Sequence, residues 1–325
     1  DASLVAAVLT QAKLRRRAVA KFGPFAERMI FTEAGLEQAS RLSVAALHAN
    51  RFRQAGITEV ADLGCGIGAE SLAMASLDIN VKAFEIDEVA AAVATYNLSP
   101  FENAFVEQAD VTQLDLSKFG GLFFDPARRE LGGPARERAM RKFDPAAFSP
   151  TVDFVMEAAA KKPTGVKFGP GHPHEGIPEN AEAQWVSVDG DLVELSLWFG
   201  SVARTDVKRS ALLITGNAKH EIVSHSTQRQ DAAIGELGQY VYEPDNSVVR
   251  SHLIGQLAEQ IEAHLFAPEI AYLTANKKIE SPWLKGYEVL DNLVFDRKKL
   301  KAYLRERNIG TLEIKKRGSD IVPEQ

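Results

Sequence analysis

Short apolar runs that stop at Gly or Asp begin at Thr58 and alternate with stretches whose apolar residues recur at helical spacing, as strands and helices do in a parallel sheet. The runs predict strands over Glu59 to Leu63, Val81 to Glu85, Ala104 to Gln108, Gly121 to Phe124 and Thr164 to Phe168. Helices are predicted near Ala69 to Leu77 and Glu88 to Tyr96. Asp189-Gly190 signals a hairpin turn between Gln184 to Val188 and Leu192 to Phe199, and Ala211 to Thr215 adds another strand. An antiparallel edge is therefore expected to close the sheet. Val193, Leu195, Leu197 and Phe199 alternate with Glu194, Ser196 and Trp198, which predicts one buried face and a core role for this strand.

The flanks read differently. Residues 1 to about 50 are expected to be helical, with Thr32 as N-cap ahead of Glu33 and Leu36. Gly216 to Asp245 is polar and mixed, and reads as a linker. Beyond it Val249, Leu253, Leu257, Ile261 and Leu265 recur at helical spacing until Pro268. Asp296 is placed to cap a second helix carrying Leu300 and Leu304, which Gly310 ends before a short strand from Thr311 to Ile314. The expected fold is α/β, with a helical segment over 1–50, a sheet domain over 51–216 and a small α+β domain over 217–325. The abrupt end of the last unit suggests a natural chain that runs further.

Composition narrows the class. A chain of 325 residues exceeds one ordinary core, and 45% hydrophobic with 25% charged residues is that of a globular protein. The single cysteine forms no internal disulfide and no His/Cys spacing resembles a zinc site, so a cytoplasmic protein without metal is expected. Apolar runs such as Leu4 to Leu9 are too short to span a bilayer, and Arg15, Arg16 and Arg17 follow that run, which is not the order of a signal peptide. No membrane partner is expected; oligomeric state is not legible. Net charge is −6, yet Asp296 to Arg317 holds nine Lys or Arg against three acids. Such asymmetry marks either a polyanion-binding face or a solvated helix face.

The candidate chemistry starts where the first strand runs into Asp62-Leu63-Gly64-Cys65-Gly66-Ile67-Gly68 and a helix follows. Small residues there let backbone pass close beneath a ligand. The spacing Gly-x-Gly-x-Gly departs from the Gly-x-Gly-x-x-Gly of dinucleotide sites, which disfavours a nicotinamide cofactor. Glu85, ending the second strand, is placed to accept from both ribose hydroxyls of a nucleoside cofactor. Asp110, after the third strand, is placed to meet an adenine amino group, and Asp62 to orient a methionyl ammonium.

These residues resemble the Rossmann-like methyltransferase superfamily, with Val60 to Gly68 matching its first motif and Phe84-Glu85-Ile86-Asp87 its second. The resemblance covers about residues 58 to 215 and implies S-adenosylmethionine held over the carboxyl edge of the sheet, with Ile86 and Val111 beside it and Cys65 a small loop residue. The fourth strand ends in Phe123-Phe124-Asp125-Pro126-Ala127-Arg128-Arg129, where the methyl group would point. Methyltransferases acting on nucleobase amino groups commonly carry an acid or Asn, two prolines and an aromatic there. Asp125 and Pro126 match that pattern as the catalytic candidates; Ala127 and Arg128 do not, which leaves amino-group methylation open. Arg128 to Lys142 reads as a mobile basic loop, with Arg128 and Arg129 as candidate substrate contacts, and Lys167, His172 and His174 come to the same edge. A lysine or histidine there suits proton transfer or substrate positioning, and exposed loop histidines are equally compatible.

Phe31 to Ala39, Asp125 to Arg129 and Leu312 to Gly318 further resemble bacterial methyltransferases that append a THUMP-like, ferredoxin-like domain. THUMP domains in other enzymes present structured RNA to a catalytic domain. The resemblance therefore implies RNA methylation, of tRNA or rRNA, with Lys298, Lys299 and Arg305 among the phosphate contacts. Two other readings stand beside it: an RNA-binding protein without catalysis on a methyltransferase scaffold, and a small-molecule methyltransferase.

Overall fold

The computed structural model describes residues 1–128 and 148–315. The chain divides into two compact units, one of Asp1–Gln184 with Val193–Arg209, the other of Trp185–Leu192 with Ser210–Gln325. The divisions fall at 184, 192 and 209.

In the first unit, α1 (Ala2–Phe22), α2 (Glu33–Gln38) and α3 (Leu42–Gln54) precede β1 (Glu59–Leu63), α4 (Ala69–Ala75), β2 (Asn80–Glu85), α5 (Glu88–Leu98) and β3 (Ala104–Gln108). Then come β4 (Gly121–Phe124), the short β5 (Ala127–Arg128) and β6 (Phe148–Ser149), which pair with each other, α6 (Val152–Ala159) and β7 (Thr164–Phe168). β8 (Glu182–Val188) and β9 (Asp191–Phe199) follow. Strands β7, β4, β1, β2 and β3 lie side by side and parallel, in that order, and β9 runs antiparallel beside β7. β1 therefore has β2 on one side and β4 on the other. The chain leaves those two strands in opposite directions, and the crevice at such a switch point is where ligands bind in open α/β sheets.

Helix α1 shows how the lead-in joins this scaffold. Leu14, Ala18 and Phe22 fall on one helical stripe and are buried against Phe31, Leu36, Ile67, Leu72, Ala94 and Leu98. The apolar side chains of α1 thereby seal the glycine loop from behind, each large one contributing about 2 kcal/mol of transfer free energy. The Thr32 hydroxyl caps α2 by accepting from the Gly35 amide at 3.0 Å, as its sequence position predicts. Lys21 closes the other end of α2, donating to the carbonyls of Leu36, Glu37 and Ala39 at 2.9, 2.7 and 2.7 Å.

One strand departs from its expected pattern. In β9 the alternate residues Glu194, Ser196 and Trp198 are as buried as Leu195, Leu197 and Phe199, so both faces of the strand are covered. Alternation in chemistry here separates a polar buried face from an apolar one, and no face belongs to solvent.

The second unit carries β10 (Arg209–Thr215), β11 (Ala218–Ser224), β12 (Tyr240–Pro244), α7 (Asn246–Arg250), α8 (Ile254–Ile261), β13 (His264–Leu265), β14 (Leu273–Ala275), β15 (Leu284–Glu288) and α9 (Arg297–Glu306). Its core joins Ala211, Leu213 and Ile222 to Tyr242, Val248, Leu257, Leu273 and Trp283. The linker expected over Gly216 to Asp245 instead supplies β11 and β12. β11 leaves little trace in the sequence because only Ile222 and Ser224 of its residues are buried. The single helix expected from Val249 to Leu265 is broken by left-handed His252 (φ 60°) and Glu262 (φ 56°), and Leu265 sits in a strand. After α9 the left-handed residue is Asn308 (φ 53°) instead of Gly310, and residues 311–315 form no strand.

Candidate active site

The loop after β1 turns on three left-handed glycines, Gly64 (φ 91°), Gly66 (φ 54°) and Gly68 (φ 87°). A Cβ on Gly64 would lie 3.3 Å from the Asp125 carbonyl oxygen, so the loop and the end of β4 pass within contact distance. The amides of Gly64 and Cys65 both donate to the Phe84 carbonyl, at 2.9 and 3.0 Å. Glu85 holds the loop from β2: its Oε2 accepts from the Gly66 amide at 2.8 Å and its Oε1 from the Asp87 amide at 3.0 Å. Ile86, the next residue, is 59% exposed, an apolar surface beside the carboxylate that suits a nucleobase face. Asn97, on α5, ties the loop to the lead-in, donating to the carbonyls of Ile67 at 3.0 Å and Ile30 at 3.1 Å.

Asp62 lies fully buried at the end of β1. Its Oδ2 accepts from the Ser71 hydroxyl at 2.5 Å, whereas its Oδ1 has no hydrogen-bond partner among the described residues. Burial pushes this carboxyl up to about 7; the Ser71 hydroxyl opposes that and the charges of Glu70 and Asp125 add to it. A buried acceptor without a donor is the chemistry that a methionyl ammonium complements. Burial, with Asp62 and Glu85 nearby, likewise raises the Cys65 thiol well above its usual range, which leaves it an unreactive loop residue.

Asp125 follows β4, and the next residue, Pro126, is buried. The Lys167 ammonium, from β7, stands 2.5 Å from Asp125 Oδ2 and also donates to Ser40 Oγ at 3.1 Å. Asp125 is raised by burial against the opposing charge of Lys167, and Lys167 is held protonated because Asp125, Glu70 and Glu194 together outweigh its desolvation.

Beneath these groups His48, on α3, bridges two buried carboxylates. Its Nδ1 is 3.0 Å from Glu70 Oε2 and its Nε2 is 2.7 Å from Glu194 Oε1, while Ser196 Oγ donates to the same Glu194 oxygen at 2.6 Å. The ring packs between Phe123 and Trp198, at 5.3 and 5.5 Å between centroids. Desolvation disfavours the imidazolium, but the two carboxylates prevail and raise its pKa to about 10. Sequence reasoning missed this network. His48 shares the apolar stripe of Val44, Ala45, Ala49 and Phe52, and Glu194 alternates with apolar residues as an outward-facing position does.

The other expected contacts are less tightly gathered. Asp110 is exposed, accepts from Thr112 N and Oγ1 at 2.9 and 2.7 Å, and so caps a short turn that opens with buried Val111. His172 is buried and stacks on Phe168 at 4.4 Å, and burial lowers its pKa; His174 begins the turn that follows. Arg128 belongs to β5, and Arg129 with the rest of the basic loop lies outside the described residues. Lys298, Lys299 and Arg305 are exposed on α9 of the second unit. Among the described residues no group of three His, Cys, Asp or Glu would hold a metal, and no helix is long and apolar enough to cross a membrane.

Residues 25–120 match the methyltransferase small domain, and residues 284–325 match the family described as THUMP domain-like. The matched models are thus those of a methyltransferase domain and, at the C-terminal end, a THUMP-like domain. Among individual proteins, the chain is 28% identical over 323 residues to an uncharacterized S-adenosylmethionine-dependent methyltransferase of Mycobacterium tuberculosis, spanning 96% of this chain and 85% of the relative. It also superposes on a crystal structure of a protein assigned as a methyltransferase from Porphyromonas gingivalis W83, with a TM-score of 0.72 at 18% identity over 93% of this chain and 78% of that one. The latter likeness is one of fold.

Proposed function

We propose that the protein transfers the methyl group of S-adenosylmethionine to RNA in the cytoplasm. The observation that carries the RNA reading is the THUMP-like match over residues 284–325, a span that includes α9 with Lys298, Lys299 and Arg305 exposed. Phosphates of a structured RNA would be bound there by charge, and the acceptor brought to the methyltransferase site.

In this reading Glu85 takes the ribose hydroxyls and Ile86, Asp110 and Val111 surround the adenine. Gly64, Cys65 and Gly66 pass beneath the cofactor, and Asp62 receives its ammonium. The cofactor, when bound, supplies an electrophilic methyl group. Asp125 accepts a hydrogen bond from the acceptor, buried Pro126 stiffens the turn, and Lys167 fixes the carboxylate that makes this contact. Alignment of nucleophile with methyl carbon accounts for most of the barrier reduction such an arrangement offers, without a strong base.

The test is to incubate the protein with cellular RNA and radiolabelled S-adenosylmethionine, then map the modified nucleoside. Label in one tRNA or rRNA position is the expected result. Tight cofactor binding without label in any RNA fraction would overturn the reading and favour a small-molecule acceptor. Failure to bind the cofactor would favour a protein that binds RNA without catalysis.

A further inference from the structure

Glu70 occupies the first turn of α4, directly after the glycine loop, and is 5% exposed. Only one of its oxygens is engaged: Oε2 receives the His48 imidazolium, while Oε1 is buried with no partner among the described residues. Asp62 is in the same condition. Its Oδ2 is held by Ser71, the residue next to Glu70, and its Oδ1 is buried without a donor. The two carboxylates act on each other through space, and Glu70 also acts on Asp125 and Lys167. Four acids, Asp62, Glu70, Asp125 and Glu194, are therefore gathered with two cations, His48 and Lys167; Asp62, Glu70, Glu194 and His48 are buried, and Asp125 and Lys167 are partly exposed. Desolvated carboxylate oxygens in excess of donors are costly, and the cost is relieved by a cation that donates to both.

We propose that Glu70 is a second acceptor in the cofactor site: its Oε1 and Asp62 Oδ1 together receive the methionyl ammonium of S-adenosylmethionine, with His48 the positioning residue that fixes Glu70 by its opposite oxygen. An ammonium has three N–H donors in a compact head, enough to satisfy both orphaned oxygens at once. A neutral ligand would leave them bare. The inference concerns the cofactor end of the site only, so an absence of label in RNA leaves it standing.

Binding calorimetry with three ligands separates the outcomes. S-adenosylmethionine and S-adenosylhomocysteine carry the ammonium; 5′-methylthioadenosine keeps the adenosine and the sulfur but lacks the amino-acid end. Glu70→Gln retains size and an oxygen for His48 but removes the charge. It is expected to weaken the first two ligands by about tenfold to a hundredfold and to leave 5′-methylthioadenosine within about twofold. His48→Gln is expected to give the same split. Equal weakening of all three ligands, or an unchanged affinity for S-adenosylmethionine, overturns the proposal.

A measurement on the unaltered protein covers the case in which the variants do not fold. Asp62 is faced by Ser71 and Glu70 from α4, by Asp125 from β4 and by Lys167 from β7, with Cys65 and Glu85 nearby, and burial in this setting pushes its pKa up to about 7. A cation arriving there forces ionisation. Titrations at pH 7 in buffers of different ionisation enthalpy should show proton release with either amino-acid-bearing ligand and none with 5′-methylthioadenosine. No release, or the same release with all three, overturns the proposal.

Discussion

The Lys167 ammonium and the Asp125 carboxylate meet at 2.5 Å, tying the ends of the adjacent parallel strands β7 and β4. The Asp125 carboxylate is thereby held in one orientation, and the Lys167 charge opposes the rise in its pKa that burial causes. Lys167→Met is expected to lower the rate of methyl transfer by about a hundredfold or more, while the dissociation constant for S-adenosylmethionine changes by less than about threefold. Single-turnover kinetics beside calorimetry checks the split. An equal loss in rate and cofactor affinity would place Lys167 in the cofactor site instead.

His48 gives the fold a pH dependence whose sign follows from its raised pKa. Its unfolded value is 6.5 and its folded value about 10, so its stabilisation is complete below about 6.5 and is lost as pH rises to about 10. Asp62, raised from 3.8 to about 7, acts in the same direction, its ionisation in the folded state being disfavoured. Glu194 is lowered from 4.5, so its contribution is complete above that value and is lost on acidification. The Asp62 loss accrues between about pH 4 and 7 and the His48 loss between about 6.5 and 10, so denaturant titrations should show stability falling from about pH 4.5 upward, with roughly 3 kcal/mol of the fall above pH 6.5. His48→Phe should remove most of the alkaline fall.

Gly35 is set by a close approach. A Cβ there would lie 2.4 Å from Ile67 Cγ2 and 2.7 Å from the Thr32 hydroxyl that caps α2. Gly35→Ala is expected to cost about 2 kcal/mol, seen as a lower Tm, and to weaken S-adenosylmethionine because Ile67 belongs to the loop.

Glu85→Ala removes both the expected ribose acceptor and the tether on the Gly66 amide. S-adenosylmethionine and 5′-methylthioadenosine should weaken together, by about a hundredfold, because the loss falls on the nucleoside they share. This contrasts with the selective loss expected for Glu70→Gln.

Reversing the charge of Lys298, Lys299 and Arg305 should weaken RNA binding and reduce its salt dependence, by about one unit of slope for each phosphate no longer neutralised. Affinity measured across a series of salt concentrations checks this, and cofactor binding should be unaffected. An unchanged slope would remove α9 from the RNA interface.

The sheet and the glycine loop were legible because both have local signatures. Apolar runs ending at Gly or Asp fall within a residue or two of the strands they predict, and the loop's three glycines all take the left-handed conformations that demand glycine. The buried network was not legible, since its members come from α3, α4, β7 and β9, and only tertiary contact joins them. Glu194 looks like an outward-facing residue until both faces of β9 are seen to be covered. His48 in turn looks like a core histidine, which by burial it is. β11 failed for the opposite reason: it buries too few residues to print a period on the sequence.

Cys65 is the chain's single cysteine, lies inside the glycine loop and is 8% exposed. The loop thus carries its own built-in reporter. A thiol reagent can reach that sulfur only when the backbone between β1 and α4 lifts away from the lead-in helices, so the alkylation rate of the unmodified protein measures how often the cofactor's floor opens. Whatever ligand clamps the loop should slow that rate in proportion to its occupancy.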